Sequence, residues 1–402
     1  MPDVGPILEA VRTRGADAVL EFTARFDGIT LTPEELIYDP ARVALPAPDA
    51  DAQAAVDFAV ERVRQFHEQC RPTATKVQEP GLSLEERWVP LQRVGIYVPN
   101  GLYPLLSSLI MSVVPAQAAG VGEIVVALSP RHDSRRHPLW NYALRKLGVR
   151  EVLAAGGAQA IAAMAYGLPG LLKPVSLIAG PGNAWVAAAK QALFAAGVVG
   201  IDLVAGPSEV LVIADEEAPV DWVALDLLSQ AEHSPDAEAI FITWSPTLLS
   251  QVKAAVEQER AQAPHPQTLG PITFRLVADP AEAVEQANRI APEHLALVGA
   301  KAEDLAGQVT TAGAVFIGPL AGQALGDYVA GPSHVLPTQG TGRFLSGLST
   351  RTFMRKISVI SPGENLRTEY LRHGATLADL EGLYFHAEAL RRRMAAMERR
   401  RR

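Results

Sequence analysis

Gln230 and His233 stand three residues apart in QAEH, Asp327 follows in GDYVAGPSHVLP, and His386 lies near the end in EGLYFH. An amide oxygen, two imidazoles and a carboxylate form a donor set for a divalent cation that accepts nitrogen and oxygen ligands, such as zinc. Gln230 and His233 share one face if their segment is helical. The spacing is not that of a compact zinc finger. Residue by residue, a plainer reading stays open: His233 could hydrogen-bond at a domain seam, and His386 could be a satisfied core histidine. A second polar pair, Glu293-His294 in APEHL, supplies a candidate base. An imidazole titrates near neutrality and suits proton transfer there.

Two glycine-rich turns could receive a phosphorylated cofactor. Gly156-Gly157-Ala158-Gln159 follows an apolar run and opens a helical pattern, as does Gly180-Pro181-Gly182-Asn183 before WVAAAKQALF. Backbone amides at such junctions bind pyrophosphate or ribose hydroxyls. Ordinary α/β turns need the same glycines. Neither stretch is a GxGxxG fingerprint, and no GxxxxGK[ST] loop is present.

The elements that must position these groups read as α/β. Residues 5–25 carry helical apolar spacing broken at Gly15, and residues 51–69 form a second helix pattern with Asp49 or Asp51 as its cap. From residue 94, VGIYVP, EIVVAL, VREVLAAG and VSLIAG alternate with helical stretches. Such alternation implies parallel strands with crossover helices, and nearly continuous apolar strands imply helices on both faces. IFIT, FRLV, LALVG and AVFIG repeat the pattern after an acidic helix at 219–232, and 376–402 reads as a final amphipathic helix. His67, Cys70, Trp185 and Trp222 read as structural or packing residues.

Composition agrees with an enzyme of this kind. The 402-residue chain is 48% hydrophobic and 20% charged, enough for more than one domain. Its formal charge of -8, from 36 basic and 44 acidic residues, argues against a nucleic-acid partner. The arginines at 391–393 and 399–402 read as a positive surface tail. One cysteine, Cys70, excludes an intrachain disulfide and a four-cysteine metal site. The absence of a signal-like start or a long unbroken apolar stretch leads to the expectation of a cytoplasmic protein without membrane contact.

The stretches GIYVPNG, GGAQAIAAMAYG, AGPGNAWVAAAK, GIDLVAGPSEVLVIAD, LLSQAEH, APEHL, GDYVAGPSHVLPT and EGLYFHAEALRRR occur in this order. Through them the chain resembles the histidinol dehydrogenase family from about residue 5 to residue 395. The resemblance implies oxidation of L-histidinol through L-histidinaldehyde to L-histidine with two NAD, the last two steps of histidine biosynthesis. It implies one zinc ion per active site, held by Gln230, His233, Asp327 and His386. It places Glu293 and His294 as the catalytic pair and Tyr97, Gln159 and Asn183 as NAD contacts. Substrate contacts fall on Ser208, Gln230, His233, His294, Asp327, His334, Glu381 and His386. It further implies a homodimer with shared active sites. The expected fold is α/β with two incomplete Rossmann-like domains and a C-terminal helical dimerisation segment. Residues 1–93 with 209–346 are expected to form the first domain, 94–208 the second, with the NAD contacts, and 347–402 the C-terminal segment.

Three departures from the family pattern bear on this reading. Asn100 replaces a glycine in VPNGLYPLLSS, where it could still tolerate a left-handed turn. Gly322-Gln323 stands in place of a proline–glutamate pair, so Gln323 cannot supply the carboxylate expected near the substrate. The chain also starts close to the first shared helix, and the missing family extension is expected to alter the dimer. The alternative within enzymes is a paralogue that oxidises another small polar alcohol; outside them it is an inactive metal-binding or assembly protein.

Overall fold

The computed structural model describes residues 2–99, 105–132, 134–204 and 206–401. Asn100 lies outside the described residues. The described chain divides into two compact units, one of residues 1–71 with 90–353 and one of residues 72–89 with 354–402.

The first unit holds two sheets. One runs in the order Ile37–Tyr38, Glu151–Leu153, Glu123–Ala127, Arg93–Tyr97, Leu177–Ala179, Gly200–Ile201. Its last five strands are parallel and Ile37–Tyr38 is antiparallel. Strand order reverses between Arg93–Tyr97 and Leu177–Ala179, and that switch point is where open α/β sheets leave a crevice beyond their strand ends. The other sheet is wholly parallel, in the order Ile272–Leu276, Glu238–Thr243, Glu209–Ala214, His294–Val298, Ala314–Ile317. The fold is therefore mixed α/β with parallel and antiparallel pairings.

Apolar patterning explains the layers. In Glu209–Ala214, Val210 and Val212 face one core with Phe241 and Val252, while Leu211 and Ile213 face the other with Ile240 and Ile242. A strand buried on both faces must be apolar at every position, which is why EVLVIA shows no alternation. The N-terminal helices Gly5–Arg14 and Ala16–Asp27, broken at Gly15, pack on the helix Gly157–Tyr166. Ile7, Val11, Val19 and Phe22 join Ile161 and Met164 in one core there, so residues 5–27 lie with the first sheet rather than with residues 209–346. The helix Ala50–Gln69 is capped by Asp49, whose Oδ1 accepts from Ala52 N at 2.8 Å. It packs against the helix Leu106–Ala119 and buries His67 to 1% exposure. Cys70 is exposed.

In the second unit, Thr75–Glu79 and Leu82–Pro90 form an antiparallel hairpin, and Met354–Pro362 adds beside Leu82–Pro90. Its helices are Thr368–Leu380 and Tyr384–Arg401. A single helix over 376–402 is not what forms. Gly382, at φ +75°, breaks the chain between the two helices. Of the apolar residues around His386, Leu380 and Leu383 are exposed, and Leu390 packs on Ala375, Ala378 and Ala387. Among the described residues, no helix is long and apolar enough to cross a membrane.

Candidate active site

A cavity of about 270 Å³ opens at the amino ends of the second sheet's central strands. It gathers Ser208, His233, Glu293, His294, Asp327 and His334. His294 begins the strand His294–Val298, and Glu293 precedes it. Both are clamped by the main chain of the neighbouring strand. Glu209 N–H donates to Glu293 Oε2 at 2.9 Å, and Glu209 O lies 3.1 Å from His294 Nδ1. A carbonyl only accepts, so Nδ1 carries the proton there, and a neutral ring keeps its lone pair on Nε2. That Nε2 lies 3.6 Å from Asp327 Oδ1. Burial pushes the Glu293 carboxyl up to about 7. Burial acts downward on His294, but the carboxylates of Glu293 and Asp327 outweigh it, raising the ring to about 9.

His334 is held by the helix Gln323–Tyr328 and by the helix Leu106–Ala119. Its Nδ1 meets Asp327 O at 2.9 Å, and its Nε2 lies 3.2 Å from Ser108 Oγ. Burial holds this ring below its usual value. Ser108 is thus a wall residue that the sequence did not single out. Its serine-rich approach, LLSSL, gave no distinguishing spacing.

Two of the four candidate metal ligands sit on two packed helices, and a third follows the end of one of them. Gln230 lies in the last turn of Val220–Ala231, with His233 just beyond it, and Asp327 lies in Gln323–Tyr328. His233 and Asp327 line the cavity. Burial acts to raise the Asp327 carboxyl, but the hydrogen bond and charge of His294 outweigh it, with smaller pulls from His334 and His233, and hold it below the usual carboxylate range. Gln230 is fully buried and has an unpartnered Nε2. Gln323 is also buried and does not line the cavity. Its Nε2 donates to Gln230 Oε1 at 3.2 Å and to Ser229 Oγ at 3.1 Å. The residue that departs from the family pattern thus touches a candidate ligand rather than open cavity. Among the described residues, no three His, Cys, Asp or Glu side chains form a metal cluster. Within the first unit the donors are one amide, one imidazole and one carboxylate, a set that fits zinc chemistry with a further ligand supplied from elsewhere. Glu381 and His386 belong to the second unit, where both are exposed.

A second cavity, of about 320 Å³, lies at the carboxyl ends of the first sheet beside its switch point. Tyr97, Gln159 and Asn183 all line it. Tyr97 ends its strand, and its buried hydroxyl accepts from Gly157 N at 3.1 Å. Burial raises the phenol to about 12, so it remains neutral. Asn183 caps the helix Ala184–Ala195, its Oδ1 accepting from Trp185 N and Val186 N at 3.1 and 3.2 Å. Its amide NH₂ is left for a ligand. Asp27, Ser129 and Arg131 also line this cavity. Ser129 Oγ donates to Asp27 Oδ1 at 3.0 Å, and Arg131 lies 3.2 Å from the same carboxylate. Their signal was positional: Ser129 follows the strand Glu123–Ala127 at the binding edge of a parallel sheet. Trp185 and Trp222 are not buried packing residues. They are 46% and 49% exposed, and Trp185 lines the cavity.

A buried carboxyl–imidazole pair beside one cavity, and glycine turns at a switch point beside another, outline the class of α/β enzymes. The comparisons narrow this class. The family model for histidinol dehydrogenase matches residues 1–394. Curated relatives include the histidinol dehydrogenase of Heliobacterium mobile, 42% identical over 96% of this chain and 92% of the relative. That of Mycobacterium tuberculosis (strain ATCC 25618 / H37Rv) is 43% identical over 98% and 91%. The crystal structure of histidinol dehydrogenase from Elizabethkingia anophelis superposes with a TM-score of 0.91 at 31% identity, covering 99% of this chain and 94% of that one. The chain belongs to the histidinol dehydrogenase family and is an oxidoreductase of histidine biosynthesis.

Proposed function

We propose that the protein oxidises L-histidinol through L-histidinaldehyde to L-histidine, using two NAD and one zinc ion per site. The observation that carries this reading is the buried Glu293–His294 pair facing Asp327 in a cavity with Ser208, His233 and His334. In the alcohol step, the neutral form of His294, which its raised value of about 9 makes more abundant as the pH rises, takes the hydroxyl proton at Nε2 while the carbinol carbon gives up hydride to the first NAD. In the aldehyde step, Glu293 takes a proton from water as the water oxygen adds to the carbonyl carbon. His294, once it has released its first proton to solvent, takes a hydroxyl proton from the hydrate as its carbon gives up the second hydride, leaving the carboxylate. The burial that raises Glu293 toward neutrality suits a group that must gain and lose a proton.

Gln230, His233, Asp327 and His386 would hold the zinc. When bound, it supplies positive charge that anchors the amino alcohol and offsets Asp327. Ser208, His334 and Glu381 would contact the substrate, and Tyr97, Gln159 and Asn183 the NAD. The two parallel sheets would act as incomplete Rossmann-like halves, with residues 94–208 carrying the NAD contacts. Glu381 and His386 would reach the partner's site in a cytoplasmic homodimer through the C-terminal segment. The test is purified, zinc-supplemented protein with limiting L-histidinol and excess NAD. Two NADH per histidinol are expected. One NADH per substrate, or turnover only with other alcohols, would overturn this reading in favour of a paralogous dehydrogenase.

A further inference from the structure

We propose that the buried Lys190–Asp202 ion pair is a positioning device that couples the two cavities to each other through the turn Gly180–Asn183. The proposal rests on the assignment of one cavity to NAD and the other to the substrate.

Lys190 Nζ and Asp202 Oδ1 are in direct contact, with side chains 2% and 1% exposed. Neither residue lines a cavity. Both main-chain polar groups of Gly180 end on this pair. Gly180 N–H donates to Asp202 Oδ2 at 2.8 Å, and Gly180 O accepts from Lys190 Nζ at 3.0 Å. Gly180 has φ +110°, and a Cβ there would fall 2.1 Å from Tyr97 O. The pair therefore presses a glycine against the strand end that carries Tyr97. Beyond it, Pro181 and Gly182 line the substrate cavity, whereas Asn183 lines the NAD cavity. Asn183 caps Ala184–Ala195, the helix that carries Lys190. One helix and one ion pair thus fix both ends of a four-residue wall with a different cavity on each side.

A wall held in this way transmits displacement. A ligand that settles it from one side lowers the cost of ordering it for a ligand on the other side, which is positive coupling without a large structural change. In the reaction such a link acts when the second NAD enters, because the aldehyde already bound has ordered the wall that the NAD meets. Charge is a stiff choice for the fastener, because removing one partner strands the other in a site without water.

The experiment measures NAD dissociation constants by titration calorimetry, with and without saturating L-histidine, on zinc-loaded protein. The variants are Lys190→Met, Lys190→Arg and Lys190→Met with Asp202→Asn. Native protein is expected to bind NAD at least about fivefold more tightly with histidine present, a coupling of ordinary size. Lys190→Arg should retain most of that ratio, and both Lys190→Met proteins should bring it below about twofold. A role in stability alone would lower the unfolding midpoint without moving the ratio. If Lys190→Met does not fold, the charge-free double variant gives the same comparison. An unchanged ratio in the variants, or no coupling in native protein, overturns the proposal while leaving the functional reading intact. Failure of native protein to bind either ligand overturns both.

Discussion

His67 gives a prediction whose size follows from burial alone. Its ring is 1% exposed in the helix Ala50–Gln69, and neither ring nitrogen has a partner. Burial pulls its pKa from 6.5 down to about 4, so the folded protein holds the ring neutral. An unfolded chain takes up the proton below 6.5, whereas the folded one resists until about 4. The contribution is present above the unfolded value and is lost as the pH falls through that window. Linkage gives about 2 kcal/mol of lost stability between about pH 7 and about pH 5, approaching about 3 kcal/mol near pH 4. The perturbation is His67→Leu, which removes the titrating ring and two unpartnered polar atoms. Denaturant unfolding at several pH values should give the variant a flatter acid limb, so that it overtakes the native protein as acid is added. A difference between the two proteins that does not vary with pH, within about 0.5 kcal/mol, would show that His67 is not held neutral and would refute the reasoning.

Two further predictions concern the candidate site. His294→Asn should slow oxidation of both histidinol and supplied histidinaldehyde by at least about a hundredfold, whereas Glu293→Gln should spare the alcohol step and damage the aldehyde step; single-turnover NADH formation from each substrate decides, and equal defects for Glu293→Gln would end this division of labour. Asp327→Ala should lose bound zinc as measured by metal analysis after dialysis, and full occupancy would remove it from the ligand set.

The parallel sheets were legible because each strand is a buried apolar run between glycine turns. VGIYVP became Arg93–Tyr97 and LALVG became the body of His294–Val298. Helix limits were legible where local chemistry sets them, as at Asp49 and Gly15. The antiparallel sheet was not. Thr75–Glu79 is exposed at every position, so no period of two marks it, and the strand beside its hairpin lies far along the chain. Only Pro80-Gly81, with Gly81 at φ +77°, signalled a turn. In the candidate site, Glu293, His294 and Asp327 stood out by type. The supports around them did not, because they are backbone atoms of Glu209 and a serine in an apolar helix; Gln230 and Gln323 stood out singly, but their contact with each other did not. Contacts of that kind arise only when distant segments meet. They leave no spacing to read.

The hairpin strand Leu82–Pro90 has a bearing on synthesis. It is the middle strand of its sheet, and one neighbour, Met354–Pro362, is made more than half the chain later. At ordinary translation rates the wait is on the order of tens of seconds. During that interval the nascent chain displays an open strand edge, a template for pairing with other polypeptides. The sequence of the waiting strand blunts the hazard, since Glu85, Glu86 and Arg87 interrupt its apolar residues with charge. Charges of this kind are the residue type that keeps an open strand edge from pairing with other chains.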